Sequence, residues 1–544
     1  MSIQVSADAS GLLGRERTVA GAGFNRWLVP PAAIAMHLCI GMVYGLSVFW
    51  LPLGRLIGGA KPLACPGLGI AQALTTTTCD WPVTDLTWMF ELAIVFLGAA
   101  AAIWGGWLER VGPRRAGVVA AFCWSGGLAV TALGVSMHQL WVMWLGTGLI
   151  GGVGLGLAYI SPVSTLIKWF PDRRGLATGM AIMGFGGGAM IGAPLANLLM
   201  NHFRGGGDGG IWQTLLVLAA IYLVFMLGAS FGYRLPPAGW QPEGWTAPVA
   251  GTRRLVTAGH VHLRDALRTP QFWLIWLVLC MNVTAGIGVL ALASPMLQEI
   301  FGGRLIGHPE VGFLQLSGAQ KIAIAGVAAG FTGLLSLFNI AGRLFWASFS
   351  DRIGRKITYA VFFLLGIALY AAAPQAAHAG SLALFVLAMC IILSMYGGGF
   401  ATVPAYLADV FGTAYVGAIH GRLLTAWSVA GLIGPSIMGY LHDSLVAAGV
   451  PRDQVYDKAL YVLAGLLAVG LLANLLVRPV APRWLMDEAG IAEAQHGRAA
   501  ARTGAYGIGR GGLSGGVVMA WAVVVLPLAW GVWRTVLTAL RLFA

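Results

Sequence analysis

Charge is scarce in this sequence. Of 544 residues only 10% are Asp, Glu, Lys or Arg, whereas a soluble domain carries roughly 25%. A chain so poor in charge cannot clothe a water-facing surface, so a soluble enzyme or binding module is excluded. Acidic residues are the rarer sign, with 20 Asp plus Glu against 33 Lys plus Arg. The apolar–polar alternation of barrel strands is missing, which argues against a membrane barrel. Reactive spacings are missing as well. No nucleophile stands beside a base, and His260 and His262 have no further partners for a metal. Gly148, Gly152, Gly156 and the run Gly186-Gly187-Gly188 follow no strand and precede no phosphate-binding Lys, so they read as helix-packing notches. No enzyme activity, metal or cofactor is expected.

What is present is apolar length. Hydrophobic residues make up 58% of the chain, and runs of about 20 recur throughout, each able to cross a ~30 Å hydrocarbon core as a helix. The 79 glycines suit close helix contact in lipid. The net charge of +13 is no nucleic-acid signature. Basic residues cluster in the N-terminal tail, the short loops 109–115, 168–174 and 351–356, the long loop 233–269 and the tail 478–516. They outnumber those of the opposite loops by roughly three to one, which predicts a multi-pass protein of the cell's inner (plasma) membrane with its N-terminus on the cytoplasmic side. The first apolar run, from Trp27, is too long for a cleaved signal and reads as the first helix.

The predicted organisation is a cytoplasmic tail (1–24, read as mobile), a six-helix bundle (25–233), a Pro- and Arg-bearing linker (234–269), a second six-helix bundle (270–478), a tail (479–516) and a further apolar segment (517–544). That last segment reads as a thirteenth span, with an interfacial segment as the alternative. The halves repeat: Glu109-Arg110-Val111-Gly112 returns as Asp351-Arg352-Ile353-Gly354, and at the same spacing Pro162 maps onto Pro404 and Gly175 onto Gly417. Duplicated bundles facing one central site are the architecture of alternating access. The fold class is therefore all-α and polytopic, two six-helix bundles plus an extra C-terminal helix.

One position organises the rest. Arg343 lies inside an apolar run, with Asn339 four residues before it on the same helix face. A guanidinium at that depth costs roughly 2.5–3.5 kcal/mol on insertion scales and cannot shed its proton. It must face a protein cavity and meet an anion.

Gly105 with Glu109-Arg110-Val111-Gly112-Pro113-Arg114-Arg115, and Asp351-Arg352-Ile353-Gly354-Arg355-Lys356, resemble the two loop signatures of the major facilitator superfamily. Within it the chain resembles the oxalate/formate antiporter family, related to monocarboxylate transporters, on Trp169-Phe170-Pro171-Asp172-Arg173-Arg174-Gly175, Thr269-Pro270-Gln271-Phe272-Trp273, and Asn339 with Arg343. The similarity covers roughly 25–478. The resemblance implies a small carboxylate held by Arg343, whose planar fork suits that group. Asn339 is a second contact, and Tyr44, Tyr159, Tyr396, Phe400 and Trp427 are candidate pocket walls. Family oxalate exchangers carry a Lys in the eleventh helix; here Trp427 stands at that place. A dianion beside one Arg leaves a charge uncompensated, at several kcal/mol. The expected substrate is therefore a monocarboxylate such as formate, lactate, pyruvate or glyoxylate, carried with a proton or in exchange for another anion. Oxalate remains open if Arg422 swings in.

His37 and Glu91 are the intramembrane groups that could carry a proton. Glu109, Arg110, Asp351 and Arg352 are candidate gate residues, with Arg422 as a partner for Glu109. Cys65 and Cys79 share the first external loop and form either a disulfide clip or two free thiols. The protein is expected to be monomeric, in contact with lipid, and to bind no nucleic acid. A carboxylate-sensing membrane receptor is the reading from another class.

Overall fold

The computed structural model describes residues 11–21, 23–54, 56–58, 63, 65, 70–81, 83–203, 210–237, 239–244, 255–257, 259–487 and 514–540. Thirteen long helices follow one another: α1 (Arg26–Phe49), α2 (Val83–Val111), α3 (Pro113–Ser136), α4 (Leu140–Trp169), α5 (Arg174–Phe203), α6 (Ile211–Gly232), α7 (Pro270–Phe301), α8 (Gly318–Ile353), α9 (Arg355–His378), α10 (Leu382–Phe411), α11 (Val416–Ala447), α12 (Asp457–Leu476) and α13 (Gly515–Ala539). Among the described residues no strand forms. Backbone groups in lipid must find partners within their own segment, and a helix is how an open chain achieves this. The protein is a multi-pass membrane protein of two six-helix bundles with one additional helix.

Three helices are irregular. The stretch Gly41–Phe49 of α1 is wound as a 3-10 helix, Trp144–Gly151 of α4 as a π-helix, and α11 breaks at Leu424 between Val416–Leu423 and Thr425–Ala447. Such departures recur at functional sites. Here two of them carry Tyr44 and Trp427.

The bundles meet along two seams lined by small residues. On one, a methyl group at Gly175 or Gly179 of α5 would overlap the backbone of Ala347 or Arg343 on α8. On the other, Gly105 of α2 packs on Ala418 of α11, and Gly421 of α11 packs on Ala101 of α2. In lipid no water-driven force holds helices together, so van der Waals contact between near-touching backbones does much of that work.

Residues 11–24, expected to be mobile, are tied down. Ala20 N donates to Leu235 O at 2.9 Å and Leu235 N donates to Thr18 O at 2.7 Å. The segment after α12 is pinned similarly, Met486 N donating to His260 O at 2.8 Å. Backbone pairing of this kind needs no particular side chains, so composition does not announce it. At the opposite face Cys65 and Cys79 are joined, their Cα atoms 5.9 Å apart. Beside them the Asp80 carboxylate accepts from the backbone N–H groups of Ile57, Gly58 and Leu63 at 2.7–2.9 Å.

α13 lies outside both bundles. Its buried residues Val517, Val524 and Gly531 recur every seven positions, the spacing of a single coiled-coil-like stripe. Along it Trp521 Nε1 donates to the carbonyl of Trp27 at the start of α1, Leu528 enters a notch at Gly187 and Gly531 abuts Met190 of α5, and Thr535 meets Gly333 of α8. The helix thus runs parallel to α1 and crosses the α5–α8 seam.

Candidate functional site

Arg343 is fully buried at that seam. Its Nε donates to Asn339 Oδ1 at 2.9 Å and its Nη1 to the carbonyl of Ile182 at 3.1 Å. Nη2 is buried with no hydrogen-bond partner. Among the described residues no carboxylate lies within ion-pair distance. Asp351, the nearest acid along the chain, is committed elsewhere, to Arg355 at 2.5 Å and to α5. A buried, unneutralised guanidinium with one free donor edge is poised for an anion that the protein does not supply.

Aromatic rings enclose that edge. The guanidinium carbon lies 5.5 Å from the centre of Phe400 and 5.8 Å from Phe185. Trp427 packs on Phe400 at 4.6 Å, on Phe185 at 5.3 Å and on Tyr159 at 5.4 Å. Tyr44 touches Phe185 at 5.0 Å, and its hydroxyl meets that of Tyr396 at 3.4 Å. The cage therefore draws on α1, α4, α5, α8, α10 and α11. Tyr159 OH and Trp427 Nε1 are buried with no partner at ordinary hydrogen-bond geometry, as Arg343 Nη2 is, and the Tyr44 and Tyr159 hydroxyls both lie near enough to interact with Arg343. Three unsatisfied polar groups in one apolar enclosure are costly, at roughly 1–3 kcal/mol each, unless a polar guest satisfies them. The enclosure excludes water, so a carboxylate meeting Arg343 there would interact far more strongly than in solvent.

Cross-bundle contacts stand on both sides of the cage. Toward the face that carries the short charged loops, Gly175 N and Leu176 N at the start of α5 donate to the two oxygens of Asp351 at 2.9 and 3.0 Å. Arg174 of one bundle pairs with Asp409 of the other at 3.0 Å, and Arg355 joins Asp409 at 3.3 Å. The duplicated motif behaves in parallel. Glu109 Oε1 lies against Gly417 at the start of α11, as Asp351 lies against Gly175 at the start of α5. A carboxylate at a helix N-terminus meets free N–H groups and the positive end of the helix dipole. Toward the other face, the Tyr44–Tyr396 contact bridges the bundles.

Some candidates fall elsewhere. Arg422 does not reach Glu109: its Nη1 donates to Leu263 O at 2.9 Å, because the linker returns beneath α11 and offers a nearer carbonyl. Glu109 instead pairs with Lys168 of its own bundle at 2.7 Å. In this state Arg422 is engaged at Leu263 and not at the cage. Arg110 and Arg352 are exposed and form no ion pair among the described residues. Glu91 is partly exposed and has no hydrogen bond to the cage. His37 is fully buried beside Tyr159, ring centres 5.2 Å apart, with Nδ1 against the carbonyl of Ala181.

Two residues at the cage escape sequence reasoning. Phe185 is the one bulky side chain in the run Gly184-Phe185-Gly186-Gly187-Gly188, and that contrast was its signal. His420 is buried, 5.9 Å from Tyr159. The rule that singles out His37 applies to it equally, but two positions before Arg422 it reads as part of a charged helix end.

With the site described, its relatives can be set beside it. The Major Facilitator Superfamily model matches residues 37–336. The chain is 26% identical over 429 residues to the oxalate:formate antiporter of Oxalobacter formigenes, covering 79% of this chain and 85% of that one. It is 26% identical over 450 residues to apicoplast pyruvate carrier 1 of Toxoplasma gondii, covering 71% and 78% respectively. Among solved structures, the major facilitator transporter FucP in its outward conformation superposes with a TM-score of 0.52 at 15% identity, over 84% of this chain and all of that one. Fold, duplicated loop motif and family match agree, and the chain belongs to the Major Facilitator Superfamily.

Proposed function

We propose that the protein is a secondary active transporter of small monocarboxylates, such as formate, lactate, pyruvate or glyoxylate, working by rocking of the two bundles about the Arg343 cage. The observation that carries this reading is a buried Arg343 with no Asp or Glu to neutralise it among the described residues and an Nη2 at no partner's hydrogen-bond geometry. Relatives whose names include a pyruvate carrier and an oxalate:formate antiporter support the carboxylate class.

The carboxylate takes Arg343 Nη2 and the partnerless Tyr159 hydroxyl, while its short apolar end meets Phe185, Phe400 and Trp427. Binding neutralises the guanidinium and lets the bundles close. Reopening needs one set of cross-bundle contacts to break: Asp351 with α5 and Arg174 with Asp409 on one side, or Tyr44 with Tyr396 on the other. We assign the charged-loop face to the cytoplasm of a plasma membrane because basic residues concentrate there. Monocarboxylates are preferred to oxalate because the cage supplies one cation and Trp427 adds only an uncharged donor.

The test is a thermal-shift panel of short carboxylates on wild type and Arg343→Gln, with counterflow in proteoliposomes. Monocarboxylates should raise the melting temperature of wild type alone, and preloaded unlabelled acid should speed entry of labelled acid. Binding without counterflow would indicate a receptor. Oxalate and lactate binding equally well at one site would refute the monocarboxylate preference.

A further inference from the structure

α13 is bound to both bundles across the seam that must shear when they rock. On the first bundle it has three footholds. Trp521 Nε1 donates to the carbonyl of Trp27 at 3.2 Å, Leu528 closes the notch at Gly187 of α5, and Gly531 abuts Met190 of α5. On the second bundle it meets α8, where Thr535 lies against Gly333. Lipid tails would cover the same seam, but they impose no geometry on it. A helix packed on both sides does. The turn of α5 under Leu528 is also a wall of the cage. Phe185 lies beside the guanidinium, and a methyl group added at Gly186 would stand 3.4 Å from Arg343 Nε and from Asn339 Oδ1. The next residue, Gly187, faces Leu528. α5 alone thus separates the outer helix from the carboxylate site.

The footholds nearest the seam sit on one half of it. α5 starts at the charged-loop face with Arg174, and α8 ends there with Ile353. Gly333 lies about 15 Å of helix from Arg343 on the side away from that face, and Met190 about 8 Å from Phe185 in the same direction. The contacts of Gly531 with Met190 and of Thr535 with Gly333 therefore bracket the half of the seam away from the charged loops. Opening of the charged-loop face leaves this bracket intact. Opening of the opposite face draws α5 and α8 apart where it sits, and one of its two contacts must part. Three footholds, one of them a hydrogen bond, keep α13 with the first bundle. The contact that yields is Thr535 with Gly333.

We infer that α13 is a strap that travels with the first bundle and holds shut the face opposite the charged loops, so that this face opens only when Thr535 slips off Gly333. This rests on the rocking-bundle reading above and gives a role to a segment that reading does not use. The strap adds to the Tyr44–Tyr396 contact, which bridges the bundles toward the same face.

The test ties the strap to each bundle in turn, in the full-length chain. A β-carbon at Gly333 would lie 3.9 Å from that of Thr535, and one at Gly531 would lie 3.3 Å from that of Met190. Both spacings are close to that of a disulfide. Gly333→Cys is combined with Thr535→Cys, and Gly531→Cys with Met190→Cys. Each pair is oxidised in proteoliposomes, and counterflow of labelled pyruvate is read before and after reduction. The first bridge should slow counterflow at least about tenfold and reversibly, because the outer opening is locked. The second should leave it within about twofold, because that contact persists through the cycle. Counterflow that survives the first bridge overturns the strap. So does a second bridge that stops it, since α13 would then not travel with the first bundle. Absence of wild-type counterflow would instead overturn the underlying transport reading. Should a pair fail to fold or to bridge, spin labels at lipid-facing positions decide. Trp533 of α13, Leu198 of α5 and Leu384 of α10 are 58–60% exposed. The distance from Trp533 to Leu198 should keep one value with and without pyruvate, and that from Trp533 to Leu384 should take two. A distance from Trp533 to Leu384 as constant as the other overturns the proposal.

Discussion

Replacing Trp427 with Lys should turn a monocarboxylate site into one that accepts oxalate. The Arg343 guanidinium carbon lies 5.5 Å from the Phe400 ring, and that ring lies 4.6 Å from Trp427. A two-carbon dianion on Arg343 would direct its second carboxylate toward that side. At an effective dielectric of about 20, an ammonium about 4 Å from that carboxylate contributes about 4 kcal/mol. The new cation repels Arg343 across roughly 8–10 Å by about 2 kcal/mol in the empty and the loaded site alike, which lowers the stability of the variant and cancels from the affinity. The gain of about 4 kcal/mol corresponds to roughly a thousandfold in oxalate affinity. Trp427 is wholly buried, and Lys is smaller, so the exchange also makes room. The assay is thermal shift with oxalate, pyruvate and formate on both proteins, followed by competition for labelled pyruvate uptake. A folded Trp427→Lys variant that still binds pyruvate but gains nothing for oxalate would refute the charge argument. Wild type binding oxalate as tightly as formate would do the same.

Three further outcomes are expected. Arg343→Lys keeps the charge but loses the fork that serves Asn339, Ile182 and a ligand together; pyruvate affinity should fall about tenfold to a hundredfold, a loss of about 1.5–3 kcal/mol, read by the same thermal shift. Asp351→Asn weakens two charge-assisted bonds to the start of α5. The closed charged-loop face should lose about 2–3 kcal/mol, so hydrogen exchange of the Gly175 and Leu176 amides should speed up roughly 30- to 150-fold. In the disulfide-clipped loop, burial works against ionisation of Asp80, but three backbone N–H donors outweigh it and hold the carboxyl below its usual range. The stabilisation is thus present above the unfolded pKa of about 3.9 and lost as the pH falls below it. Protease resistance of residues 56–81 should be flat from pH 7 to 5 and fall under pH 4, and Asp80→Asn should remove that dependence.

How legible this was in the sequence depended on what each interaction costs. Arg343 and Asn339 stand out because charge inside an apolar run is expensive and needs a reason. The repeat could be read because Glu109 and Asp351 sit at one spacing from each other, as do Gly175 and Gly417. The structure then puts each carboxylate against the opposite bundle's glycine. Tyr44, Tyr159, Tyr396, Phe400 and Trp427 could be proposed as walls, but their convergence depends on how six helices are rotated, which no local pattern encodes. The Arg422–Glu109 pairing failed for a related reason: complementary charge says nothing about a carbonyl such as that of Leu263 brought nearer by the returning linker. The docking of residues 18–20 on Leu235 was invisible because backbone donors and acceptors are the same in every sequence.

The outer helix has a consequence for any reporter attached to this protein. Near the start of the described chain, Leu12 gives its carbonyl to Arg114 Nη1 at 3.0 Å, on the charged-loop face. Residue 521 also lies near that face, beside Trp27, whereas Thr535 has climbed to Gly333 on the far side. If α13 is a thirteenth crossing the parity is odd, and a fluorophore on Leu12 and one on Thr535 would sample different compartments. A pH-sensitive pair at those two positions would read both sides of the bilayer from a single polypeptide.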